Sequence, residues 1–95
     1  MDIGDWRAKI DEIDEVLVDL LNRRATCALE IGEVKKALGM KVHAPERERW
    51  VLSEVQALNK GPLSDEAIRR LFERVIDESR RLEREASERD SAAST

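Results

Sequence analysis

Along the first third of the chain, apolar residues recur every three or four positions. At 100° per residue, Trp6, Ile10, Ile13, Leu17, Leu20, Ile31 and Leu38 fall within about 40° of one line. That line also carries two cations. With Arg24 as origin, Ile31 lies at about −20°, Lys35 at about +20° and Leu38 at about −40°, whereas Arg23 and Lys36 fall well off the stripe. The pattern predicts one helix over about residues 4–38, stopped by Gly39, with Gly32 as its one internal invitation to break.

Two further helices follow. Pro45 suits the first turn of a second helix, which ends near residue 59 in "NKGPLSDE". Ser64 is the expected N-cap of a third helix, about residues 64–86, with Asp65 and Glu66 at the positive end of its dipole. Beyond Glu83 the apolar residues thin out, and 87–95 reads as a disordered polar tail after a single helical domain over 1–86. The second helix shows an apolar line Val51, Val55, Leu58, and the third shows Ile68, Phe72, Val75, Leu82, Ala86.

Size turns this pattern into a problem of cover. The first helix would be about 50 Å long, while a compact chain of 95 residues has a radius of gyration of about 12 Å. Its apolar positions continue to the far end, so the economical solution is a second copy packed against it, giving an all-α, intertwined helical-bundle homodimer. Composition agrees: charged residues make up 40% of the chain, with only four Gly and two Pro, which suits long helices. The net charge of −4 is mixed in sign and gives no footprint for nucleic acid. One Cys and one His provide neither an internal disulfide nor a metal-ligand spacing, and no cofactor is expected. His43 reads as a solvated loop residue. No apolar run is long enough for a membrane and no signal-peptide pattern opens the chain, so a cytoplasmic setting is expected.

The other helices repeat the oddity of the first. Glu48 lies one turn upstream on the second apolar line, with Arg47 beside it, and Ser79 sits near the centre of the third, with Glu83 to one side. Any one of these fits an internal salt bridge or a wet helix end, since long side chains snorkel. Five polar groups on the seams of three helices fit better around a ligand, because buried charge is a costly way to stabilise a small domain. Arg24, Lys35 and Arg47 outnumber the carboxylates, so the ligand class is a small molecule with two carboxylates.

The segments "WRAKIDEIDEVLVDLLNRR", "IGEVKKALG", "PERERWVL" and "NKGPLSDEAIRRLFERVIDESRRLE" resemble the all-helical, AroQ-type chorismate mutases, from about Trp6 to Glu83. The form with "NKGPL" and Glu83 is similar to mutase domains fused to prephenate dehydratase. The resemblance implies a homodimer that turns chorismate into prephenate, on the route to Phe and Tyr, without cofactor or covalent intermediate, with a fused or associated dehydratase as possible partner. It further implies that Arg24 and Arg7 grip the two carboxylates and that Lys35 bridges a carboxylate and the ether oxygen. Glu48, assisted by Arg47, would hold the ring hydroxyl; Ser79 would assist the ring carboxylate, and Glu83 would reach the ether oxygen. Arg7 lies 17 positions before Arg24, about 25 Å along one helix, so it reaches such a site only from the other protomer.

Two departures stand out. Many relatives have Gln where this chain has Glu83, which would have to work protonated beside a developing oxyanion. Some relatives carry an Asp at the position of Ala44, so one hydroxyl contact is missing or comes from backbone. Isochorismate–pyruvate lyase, which has a similar "APER" turn, is the neighbouring activity, and a silent regulatory or dimerisation module is the alternative of a different class.

Overall fold

The computed structural model describes residues 1–41 and 44–93, and His43 therefore lies outside the described residues. Three helices account for nearly all of it: α1 (Ile3–Ala37), α2 (Pro45–Leu58) and α3 (Asp65–Ala93). No strand occurs among the described residues.

Local chemistry sets each boundary. Asp2 and Asp5 form a reciprocal capping box at the start of α1: the Asp5 N–H donates to Asp2 Oδ1 at 2.9 Å, and the Asp2 N–H to Asp5 Oδ2 at 3.1 Å. Lys35 and Lys36 complement the dipole in its last turn. The chain leaves α1 through Gly39, whose φ of +68° suits a residue without a Cβ. Gly32 does not break the helix, which runs uninterrupted for 35 residues. Pro45 occupies the first turn of α2, as the sequence predicts, although Ala44 offers no side-chain cap. Asn59 organises the next turn: its Nδ2 donates to Leu63 O at 2.7 Å and Asp65 Oδ1 at 2.8 Å, and its Oδ1 accepts from the Gly61 N–H at 3.1 Å. Ser64 then caps α3, with its Oγ accepting from the Ala67 N–H at 3.1 Å.

α3 lies between the other two helices and packs on both. The expected apolar line of α3 is half-buried throughout, from Ile68 to Ala86. α2 is turned relative to expectation. Leu52 is its buried residue and Leu58 is 67% exposed, so the inward face lies about 60° round from the Val51–Val55–Leu58 line. α3 also continues to Ala93, past the point where the apolar pattern stops and a tail was expected. No Gly or Pro interrupts that stretch, Arg81 and Glu85 form an i,i+4 pair at 3.9 Å, and Asp90 reaches Lys36 of α1 at 3.4 Å.

The molecule measures 58 × 28 × 15 Å with a radius of gyration of 17.0 Å, well above the ~12 Å of a compact chain of this length. The reason is the first half of α1, which projects without a partner. Trp6, Ile10, Ile13, Leu17 and Leu20 are all exposed, Ile13 by 63%. Leu52 is the only buried apolar side chain among the described residues, so Leu52→Ala should cost about 2–4 kcal/mol, read as a lower midpoint in chemical denaturation.

Candidate active site

The second half of α1, the start of α2 and the second half of α3 enclose a cavity of about 140 Å³. Its polar residues come from every helix. Arg24 and Lys35 lie three turns apart on one face of α1, with Ala28 and Ile31 between them. Glu48 and Arg47 come from the first turn of α2, after Ala44. Ser79 and Glu83, at i and i+4, come from α3. Six of the seven residues expected in the site thus share one cavity. Arg7 does not: it stands on the projecting, solvent-exposed part of α1.

Arg80 joins the cavity without having been expected there. Its Nε and Nη2 donate to the two carboxylate oxygens of Glu48, a fork across the α2–α3 contact. This contact raises the already high pKa of Arg80. The guanidinium of Arg47, expected to assist Glu48, lies 4.5 Å from the centre of the Trp50 ring and stays exposed at the rim. Arg80 escaped the helical pattern because it sits about 120° from the Ile68 line of α3, where a solvated charge is the ordinary reading. The available signal was its place between Ser79 and Glu83, one position from the first and three from the second.

Glu83 is the perturbed acid of the site. Its side chain crosses α1 over Gly32, where an added Cβ would meet Oε2 at 3.6 Å. Loss of water pushes its pKa above the usual carboxylate value, and the cations Lys35 and Arg80 oppose that rise. Four cations and two carboxylates therefore line a small cavity with apolar walls. Such a surplus of positive charge suits an anion.

Residues 6–84 match the family described as Chorismate mutase type II. The bifunctional chorismate mutase/prephenate dehydratase of Stutzerimonas stutzeri is 43% identical over 82 residues, which are 81% of this chain and 22% of that protein. The chain therefore spans about a fifth of the length of such bifunctional relatives. The chorismate mutase of Methanocaldococcus jannaschii is 31% identical over 84 residues, covering 87% of this chain and 85% of that one. Among solved structures, a chorismate mutase from Thermus thermophilus superposes with a TM-score of 0.84 at 34% identity, over 86% of this chain and 93% of the other.

The raised pKa of Glu83 has a consequence for stability. The folded state holds this proton more tightly than the unfolded state, so the group weakens folding as pH rises from about the ordinary Glu value through its folded pKa. Glu83→Gln removes that loss. Denaturation midpoints of the two proteins should differ more in the mutant's favour at neutral pH than at pH 4, and parallel pH dependences would contradict the assignment.

Proposed function

The chain belongs to the chorismate mutase type II family, and from that premise we propose that it rearranges chorismate to prephenate in the cavity between α1, α2 and α3. The observation that carries this reading is the meeting of Arg24, Lys35, Glu48, Ser79 and Glu83 around one cavity with surplus positive charge.

The reaction is intramolecular. A carbon–oxygen bond breaks as a carbon–carbon bond forms, and negative charge gathers on the ether oxygen. No proton need be transferred. The site's work is to hold a flexible dianion in its reactive shape and to present donors where charge develops. Arg24 clamps one carboxylate, with Ser79 assisting at the ring carboxylate. Glu48 accepts from the ring hydroxyl. Lys35 and the protonated Glu83 donate to the ether oxygen, and they favour the transition state because its charge there exceeds that of the substrate.

Arg7 completes the site in this reading, and it does so from a second copy of the chain. The exposed apolar stripe of α1, from Trp6 to Leu20, is the surface that such a copy would cover. The result is an intertwined homodimer with shared sites. A prephenate dehydratase, fused or associated, is the expected partner, as the names of the Stutzerimonas and Pseudomonas relatives pair the two activities. No helix is long and apolar enough to cross a membrane among the described residues. A cytoplasmic location belongs to the same proposal, and a reducing compartment would preserve the exposed thiol of Cys27.

The direct test is incubation with chorismate and with isochorismate. Prephenate from the first supports the reading; pyruvate from the second and no prephenate would replace it with lyase activity. Lys35→Ala should lower kcat by about 10²–10³-fold. Activity should decline as pH rises through the raised pKa of Glu83, and Glu83→Gln should flatten that decline. Subunit sharing has its own assay. Arg7→Ala and Arg24→Ala should each be inactive, yet a mixture refolded together should regain roughly a quarter of wild-type activity, because half of randomly paired dimers carry one intact site. A mixture as inactive as its parents would remove the shared site.

A further inference from the structure

Among the described residues two ion pairs join different helices: Lys36–Asp90, exposed between α1 and α3, and Arg80–Glu48, at the cavity. Arg23–Asp19, Arg69–Glu73, Arg74–Glu78 and Arg81–Glu85 are exposed i,i+4 pairs along single helices, of the sort that contribute little. Arg80–Glu48 instead joins α3 to α2, both residues line the cavity, and the Glu48 side chain is only 23% exposed. The fork engages both carboxylate oxygens. A side chain gripped this way has lost its rotamer freedom before any ligand arrives. The start of α2 needs such a tie, since Ala44 provides no side-chain cap and the neighbouring Arg47 is engaged with Trp50.

We propose that Arg80 is a positioning residue of the site: its fork fixes the Glu48 carboxylate as a preformed acceptor for a donor hydroxyl on the substrate. The proposal rests on the chorismate reading for the identity of that hydroxyl. A carboxylate fixed at the cavity wall favours a ligand that offers a hydroxyl there over one that offers a second anion or a carbonyl. Arg80 also adds to the field on Glu83. That carboxyl faces Arg24 and Lys35 from α1, Arg47 and Glu48 from α2, and Arg80 from its own helix, and Lys35 and Arg80 are the cations that hold its pKa down.

Three variants test the role: Arg80→Leu, Arg80→Lys and Glu48→Gln, each checked for helical circular dichroism. Arg80→Leu should raise KM for chorismate roughly tenfold, with a smaller change in kcat, since the lost contact orients a binding group rather than the breaking bond. The decline of activity at high pH should move to higher pH, because a cation opposing the protonation of Glu83 is gone. Arg80→Lys, which keeps the charge but not the fork, should restore the pH profile and only part of the KM. Adding Glu48→Gln to Arg80→Leu should cost little more than either alone. A folded Arg80→Leu protein with wild-type KM and wild-type pH profile overturns the proposal. A readout free of turnover separates it from the chorismate reading: the Arg80 Nε–H resonance should be protected from solvent exchange in the wild type and lose that protection in Glu48→Gln. A wild type that ignores chorismate removes the proposed function, whereas an unprotected Nε–H removes the Arg80–Glu48 fork whatever the substrate.

Discussion

Charge on a half-buried helix face must be answered, and that requirement organises this molecule. Arg24 and Lys35 sit at the edge of the face that α1 turns toward α3, and both are half-buried, whereas Ile31 and Leu38 on the same line stay exposed. Arg47 and Arg80 bring the cations around the cavity to four, against Glu48 and Glu83. The carboxylates leave a surplus of two positive charges, or three when Glu83 holds its proton. A surplus of that size in a small cavity with apolar walls favours a dianionic guest over water, because the cations lose part of their hydration whether or not a partner arrives. The fold supplies the donors in advance. In the proposed function, the dianionic substrate completes the electrostatics.

The same helix that builds the cavity leaves the rest of its apolar face bare. Up to residue 23 every position of α1 is exposed, whereas Arg24, Ala25, Ala28, Leu29, Gly32 and Lys35 are half-buried against α3. One element therefore has two environments: α3 of its own chain along its second half, and solvent along its first. A stripe containing Trp6, Ile10, Ile13, Leu17 and Leu20 is too long and too continuous for solvent. Its line passes directly into the line of Arg24 and Lys35, so a surface that covers the stripe also lies beside the cavity. In the proposed dimer, assembly and site are one geometric problem, and Arg7, on the projecting half, is where the two would meet.

Helical periodicity made much of this legible in the amino-acid pattern. Arg24, Lys35, Glu48, Ser79 and Glu83 announce themselves because an uninterrupted helix carries angular position faithfully over many turns, and a polar group on an apolar line is visible without coordinates. The caps were equally plain, since Pro45, Ser64 and Gly39 act through their own backbone constraints. What escaped depends on how helices meet. The inward face of α2 is set by packing on α3, so Leu52 rather than Leu58 is buried. Arg80 looks like an ordinary solvent charge until Glu48 is brought across to it. The last turns of α3 lack an apolar face, yet Ser87–Ala93 stays helical without Gly or Pro and with Lys36 of α1 touching Asp90.

Glu83 shows how closely these contributions are balanced. Removal from water raises its pKa, and Lys35 and Arg80 lower it. A site with fewer cations would hold the proton more firmly but would bind an anion less well. A site with more would attract an anion more strongly and push that pKa back down. Arg80 lies on both sides of this balance, as the partner of Glu48 and as a cation near Glu83. The fork fixes an acceptor at the cavity, and the same cation lowers the pKa of the neighbouring acid.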